Sequence, residues 1–305
     1  MCCLFGIIDY KQSLSKKQIN RIISTLSVAC EARGTDATGI SYNTAEKLCI
    51  FKRPLPAHRM HFYILNGVHA VMGHTRMTTQ GNERRNYNNH PFIGYVNGSE
   101  FALAHNGVLY NDIDLQRSEV LPKTKIETDS YVAVQLIEKY GELSFEAFRY
   151  AAELLVGSYT LTVMDQDNNF YFVKGDNPMC IYHYKDLGVY LYASTEEILK
   201  SAIYKMPYNL GVYEKLNIEC GTILKIDNCG EQSTADFKFS YQMKYYDPYW
   251  MWRDYSNSRT SNNEYVKELK SAASGFGVSP EDIDELLAEG FTTDDIEEFL
   301  YYGQF

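Results

Sequence analysis

The sequence predicts an α+β chain in which two layers of sheet, built from hairpin-linked strands, are covered by helices and followed by a small helical appendage. Three observations predict it. Short strand-like runs follow one another with polar turns between them, and helix-like runs are confined to positions between and beside two strand groups. The uniform strand–helix alternation of a doubly wound parallel sheet is absent. This pattern occupies residues 2–240; a linker that is aromatic and then polar covers 241–262, and an acidic helical appendage covers 263–305.

Each element has its own signal. CLFGIIDY reads as the first strand. SLSKKQINRIISTLSVACEARG places Ile19, Ile22, Ile23, Leu26 and Cys30 on one helical face, with Gly34 as the stop. TGISYN, KLCIFKR, HAVMGHTR, FIGYVN and EFALAHNG are short strands. TDSYVAVQLIEKY and SFEAFRYAAELL are two amphipathic helices broken at Gly141. SYTLTVMD, NFYFVKG, CIYHY and GVYLYAS form a second strand group, with turns at DQDN, GDNP and DLG. TEEILKSAIYK is a short helix and GTILKID a further strand. Near the end, DIDELL (282–287) and DIEEFL (295–300) repeat one unit, each preceded by a Ser or Thr suited to capping a helix. The acidic hairpin they would form is either a stabilising spacer or a docking module for a partner protein.

Composition narrows the function classes. The chain has 305 residues, 45% of them hydrophobic, and a formal charge of −10. With no Lys/Arg run longer than Arg84-Arg85, it offers no general attraction to nucleic acid. No apolar stretch approaches the ~20 residues of a membrane helix, and the start lacks the basic and apolar regions of a signal peptide. Seven cysteines without a CxxC pair argue against a zinc framework, and the odd number fits a reducing, cytoplasmic setting. Cys30, Cys49 and Cys180 read as small core residues.

Four stretches carry residue types suited to chemistry. In MCCLFGI, removal of Met1 would leave the Cys2 thiol beside a free α-amine. With a pKa near ~7.7 to 8, that amine can serve as the thiol's base. The same stretch also reads as an inert chain end. GHTRMTTQG ends an apolar strand with Arg76, whose planar fork suits either a ligand carboxylate or a structural salt bridge. AHNGVLYN offers the Asn106 amide and the Gly107 N–H as converging donors for an oxyanion, although Asn-Gly is equally a hairpin-turn signal. Its position after FALA places His105, Asn106 and Gly107 at a strand-to-loop junction. ETDSYVAV sets Asp129 at a helix start, either as a cap or as the partner of an α-ammonium. Arg76 and Asp129 together would suit a free amino acid. His74 and His105 read as packed residues beside the site.

With RGTDATGI (33–40), NNHPF (88–92), TDS and GSYTLTV (157–163), these motifs resemble, in the same order, the class II glutamine amidotransferase domain of the N-terminal nucleophile hydrolases. The resemblance spans roughly residues 2–225 and implies a four-layer αββα fold. It implies that Cys2 attacks the side-chain amide of L-glutamine, releasing ammonia and leaving a thioester that water resolves to glutamate. It makes Asn106 and Gly107 the oxyanion hole, Arg76 the holder of the glutamine carboxylate and Asp129 the holder of its ammonium. Met77 stands where some branches carry tryptophan, as an apolar lid. Thr78 begins a closing loop running to Gln80, His90 supports that loop or the structure around it, and Arg33, Gly34, Asp36 and Gly39 shape a turn near the nucleophile. No metal and no cofactor are implied. Family members usually pass ammonia to an attached domain; here a separate ammonia-accepting synthetase subunit is expected. Cys3 departs from the glycine usual after the nucleophile, adding bulk and a second thiol that could pair with Cys2 under strain. Other readings remain open at this stage: an N-terminal cysteine hydrolase of a different amide or γ-glutamyl substrate, and a noncatalytic regulatory protein on the same scaffold.

Overall fold

The computed structural model describes residues 2–240, 266, 270, 278–288 and 296. Alternation along the strands builds its layers. On β1 (Cys3–Asp9), Cys3, Phe5 and Ile7 enter one core while Leu4 and Ile8 enter another, because successive strand residues face opposite sides. Every residue of β1 is buried. A strand covered on both faces belongs in the middle of a layered structure.

One antiparallel sheet has the spatial order β11 (Glu214–Leu216), β9 (Cys180–Tyr184), β10 (Val189–Ala193), β1, β4 (Ala70–Arg76), β2 (Ala37–Asn43), β3 (Leu48–Arg53). The other runs β13 (Gln232–Asp236), β12 (Thr222–Ile226), β8 (Phe170–Lys174), β7 (Gly157–Asp165), β6 (Ser99–Leu109), β5 (Phe92–Val96). Helices α1 (Lys16–Ala29) and α5 (Glu196–Tyr204) cover the first sheet, packing Ile22, Leu26 and Leu199 against Phe5 and Ile7. A short helix α2 (Asp112–Ser118) follows β6, and α3 (Tyr131–Tyr140) and α4 (Phe145–Leu154) cover the second sheet through Val134, Ile137 and Phe148. Between the sheets lies a third core with Leu4, Met72, Ala104, Phe172 and Tyr192. Each large aliphatic or aromatic side chain so buried contributes about 1.5–3 kcal/mol. The result is the four-layer αββα arrangement.

Most elements match the sequence reading, and the differences have physical reasons. The apolar face of α1 is buried as expected, but the helix ends at Ala29 and tightens into a 3-10 turn over Cys30–Ala32, before Gly34. Its start is a reciprocal capping box between Ser15 and Gln18. Helix α3 stops at Gly141, which adopts φ 93°. The reading placed Asn106-Gly107 at a strand-to-loop junction or in a hairpin turn; instead β6 runs through both residues to Leu109, paired with β7. Cys49 is half-buried rather than core. Strand β13 was not foreseen because its QSTAD sequence is mostly exposed and has no apolar alternation.

The chain divides into two units, residues 1–242 and 243–305. In the second, α6 (Pro280–Ala288) starts from Ser279: the Asp282 N–H donates to Ser279 Oγ at 3.2 Å and the Ser279 N–H to Asp282 Oδ2 at 2.9 Å. Ile283 and Ile296 are buried against Val278, Leu286 and Leu287. The expected linker over 241–262 and most of the 295–300 repeat lie outside the described residues.

Candidate active site

Strand pairing assembles the site at one end of the two sheets. Cys3 pairs with Thr75, so Cys2, just before β1, comes beside Arg76 at the end of β4. Strand β6 of the facing sheet brings Gly107, and the segment leading into α3 brings Asp129. Cys2, Arg76, Met77, His90, Gly107 and Asp129 line one cleft of about 240 Å³, part of it open to solvent.

The RGTDATGI turn holds this end in place. Arg33 Nε donates to the Cys2 carbonyl at 2.8 Å. The Asp36 N–H donates to the Arg76 carbonyl at 3.0 Å, and Asp36 Oδ2 accepts the Thr78 N–H at 2.7 Å. Gly34 packs so closely on this segment that an added Cβ would lie 2.6 Å from the Met77 nitrogen. The Cys2 thiol lies 3.5 Å from the Met77 carbonyl as a donor. Burial pushes that thiol up from its ordinary pKa, with the Arg76 charge acting in the opposite direction. A buried thiol of this kind is protonated near neutrality and needs a base to become a nucleophile.

Arg76 is buried, and its hydrogen bonds go only to neutral acceptors: Nη1 to Asn89 Oδ1 at 2.7 Å, and Nη2 to the Gln80 and Gly81 carbonyls at 2.5 and 3.2 Å. It forms no ion pair among the described residues, so the structural salt bridge considered from sequence is not there. Burial lowers its pKa from the ordinary value. Asp129 is 3% exposed and does not cap α3 through its side chain. Its Oδ2 accepts the Leu109 N–H at 2.6 Å and its Oδ1 the Ser130 hydroxyl at 3.2 Å. The cleft therefore holds a cation and a carboxylate that do not neutralise each other directly.

Gly107 contributes only backbone, at φ 141°, and a Cβ there would lie 1.8 Å from the Ser158 carbonyl oxygen. Asn106 is fully buried next to it but does not line the cleft. Its Nδ2 donates to Ser194 Oγ at 3.3 Å, leaving a second N–H, and its Oδ1 has no partner among the described residues. Ser194 Oγ also accepts the Leu4 N–H at 2.8 Å, linking β1 to Asn106 across the two sheets. Thr78 is drawn to Asp36 rather than lining the cleft. Cys3 faces away from Cys2 into the core beneath α1, so its bulk does not enter the cleft.

Thr79 and Gln80 of the expected closing loop line the cleft, and so do His105, expected beside the site, and Thr128 and Ser130 of the TDS stretch; Asn89 and Ser194 add supports that no sequence signal points to. Polar loop residues give no periodic signal, and Ser194 becomes relevant only when β10 meets β1. Three imidazoles cluster at the cleft, His90 and His105 in its lining and His74 behind them: His90 lies 4.2 Å from His74 and 6.4 Å from His105 between ring centres. Burial drives His74 down to about 3 and lowers His90 and His105 as well, so all three are neutral near pH 7. His74 Nε2 lies 2.9 Å from the His105 carbonyl and His105 Nδ1 2.8 Å from Ser130 Oγ, while both His90 nitrogens lack partners among the described residues. Lys52 holds the His90 segment by donating to the Asn89 and Pro91 carbonyls; burial first, and the Arg76 charge second, lower it to about 8. Among the described residues no His, Cys, Asp and Glu cluster is arranged to hold a metal, and no helix is long and apolar enough to cross a membrane.

Comparisons with known proteins bear on the fold and the kind of domain. No family model matches the chain. It is 32% identical over 184 residues to a glutamine–fructose-6-phosphate aminotransferase (isomerizing) of Halalkalibacterium halodurans, covering 58% of this chain and 30% of that protein. A protein of the same name from Sulfurisphaera tokodaii is 32% identical over 191 residues, covering 59% and 31%. The chain thus spans about a third of the length of these relatives. Among solved structures, the glutamine phosphoribosylpyrophosphate amidotransferase of B. subtilis superposes with a TM-score of 0.60 over 78% of this chain and 50% of that one, at 21% identity, which shows a shared fold. The chain carries a class II glutamine-amidotransferase-like domain with the N-terminal nucleophile hydrolase fold.

Proposed function

We propose that this domain hydrolyses the side-chain amide of L-glutamine, with Cys2 as nucleophile once Met1 has been removed. The observation that carries the reading is the placement of the Cys2 thiol in one cleft with the Asp129 carboxylate and a buried Arg76 that forms no ion pair among the described residues. Opposite charges held apart across a cleft suit the α-carboxylate and α-ammonium of a free amino acid, and leave its side chain to reach the thiol.

In this reading the α-amine of Cys2 takes the thiol proton and the sulfur attacks the amide carbon. Negative charge moves to the amide oxygen, where the Gly107 N–H donates to it, joined by the second N–H of Asn106 once that side chain, buried beside Gly107, turns into the cleft. One such donor contributes about 3 kcal/mol to the transition state. The amine returns the proton to the leaving nitrogen, which departs as ammonia and leaves a γ-glutamyl thioester. Water activated by the same amine then attacks the thioester, releasing glutamate and restoring the thiol. Met77, exposed at the mouth, and the Thr79-Gln80 segment, tied by Gln80 Nε2 to Asp112 Oδ2 at 3.2 Å, are the parts placed to cover the bound amino acid. We further place the use of ammonia on a separate acceptor enzyme. That part fails if the host's acceptor reaction runs equally well on glutamine without this chain.

The decisive experiment joins two measurements: intact mass of the purified protein, and glutamate release from glutamine by the wild type and by Cys2→Ala. The reading requires a mass lacking Met1 and activity abolished by the substitution. Retention of Met1 in active protein, or glutamate release that survives Cys2→Ala, overturns it.

A further inference from the structure

On the face of β1 opposite the cleft, Cys3 Sγ and Cys30 Sγ lie 3.0 Å apart, joining residues 27 positions apart in the chain. Both side chains are fully buried. The separation exceeds a disulfide bond by only about 1 Å. Cys3 opens β1, and Cys30 begins the 3-10 turn after α1, where Thr75 Oγ1 donates to its carbonyl at 3.1 Å. Each thiol is thus fixed by secondary structure on a different layer, with the other sulfur as its neighbour. Cys2, by contrast, is turned to the Met77 carbonyl on the cleft side.

The surroundings also make the two thiols unequal. Burial raises Cys3, but the Cys30 S–H, the Ser194 backbone and hydroxyl, and the Arg33 charge together bring it below the ordinary thiol value. Burial and the adjacent Cys3 hold Cys30 well above it. Of the two, Cys3 is the more readily ionised thiol, with the Cys30 sulfur beside it.

We propose that Cys3 and Cys30 form a redox-active dithiol site that closes to an intramolecular disulfide on reaction with a small peroxide. The Cys3 thiolate attacks one peroxide oxygen, the O–O bond breaks, and the released hydroxide takes up a proton, giving a Cys3 sulfenic acid and water. Cys30 sulfur then attacks Cys3 sulfur; its proton leaves with the sulfenic hydroxyl as a second water, and the S–S bond forms. Two thiols lose two electrons and two protons, and one hydrogen peroxide becomes two waters. Peroxide is the appropriate oxidant class because a fully buried site admits a molecule of two heavy atoms before it admits a bulky disulfide. The closed bond would pin the strand that follows the nucleophile to the end of α1.

The test is peptide mapping of the full-length protein without reduction, after treatment with hydrogen peroxide and alkylation of the remaining thiols in denaturant. Wild type and Cys2→Ala are compared, the latter removing the cleft thiol as a competitor. Trypsin should yield the peptide ending at Lys11 joined to residues 22–33, lighter by two hydrogen atoms than the reduced pair, in both proteins. Dithiothreitol should separate them, and Cys3→Ser or Cys30→Ser should abolish the link. Oxidised glutathione at equal concentration should form it much more slowly in native protein. A link that disappears in Cys2→Ala would assign it to Cys2 and overturn the proposal. So would recovery of Cys3 and Cys30 both alkylated after peroxide treatment of Cys2→Ala, or equal reactivity with oxidised glutathione. Because the Cys2→Ala result is read by mapping, the conclusion survives even if the serine variants fail to fold.

Discussion

Replacing Arg76 by Gln separates a ligand-binding role from a purely structural one. The guanidinium makes three hydrogen bonds, all to neutral acceptors on Asn89, Gln80 and Gly81, and forms no ion pair among the described residues. Its charge is therefore available to a ligand carboxylate, and a hydrogen bond to a charged group contributes about 1.5–3 kcal/mol. That range corresponds to roughly 10- to 150-fold in kcat/KM. The substitution also loosens the loop, because the buried acceptors lose their donor, so an absolute rate would mix the two effects. The assay is therefore a cycle: kcat/KM for glutamine and for its α-carboxamide, in wild type and in Arg76→Gln. Loop damage affects both substrates and cancels in the ratio. Wild type should prefer glutamine by about 10- to 150-fold, and the variant should treat the two nearly alike. A preference unchanged in Arg76→Gln, whatever the fall in absolute rate, would refute the assignment of Arg76 to the carboxylate.

Three further outcomes are expected. Gly107→Ala should abolish activity and lower the unfolding temperature, because its Cβ would lie 1.8 Å from the Ser158 oxygen at φ 141°; a stable, active variant in a thermal melt and a glutaminase assay would contradict this. Ser194→Ala removes the acceptor shared by the Leu4 and Asn106 N–H groups. Its kcat should fall by more than its KM changes, as steady-state kinetics would show. For His74, burial lowers the folded pKa from 6.5 to about 3, so between these values the unfolded chain binds the proton and the native state does not. Its contribution to stability is complete above pH 6.5 and is lost as pH falls toward 3. His74→Gln should reduce the acid-side slope of unfolding free energy by up to about 1.4 kcal/mol per pH unit, measured by denaturant titration from pH 7 to 4; an unaltered slope would exclude this origin.

Local pattern was sufficient for much of this molecule. The face of α1 bearing Ile19, Ile22, Ile23 and Leu26 was readable because helical periodicity and burial coincide there. The apolar run of β1 was readable as a strand, but not which of its residues face which core, because every one of them is buried. The Asn106-Gly107 pair was misplaced because its local turn preference is overridden by pairing with β7, which continues the strand past it.

What the sequence by itself determined was the kind of layers and the residue types available for chemistry, since both follow from side-chain identity and short-range spacing. Only the tertiary structure decided that Arg76 forms no ion pair among the described residues, that Ser194 joins Leu4 to Asn106, and that Cys3 meets Cys30 rather than Cys2. Those contacts link strands and turns far apart in the chain. Their geometry is set by strand register and sheet packing, which no short window of residues encodes.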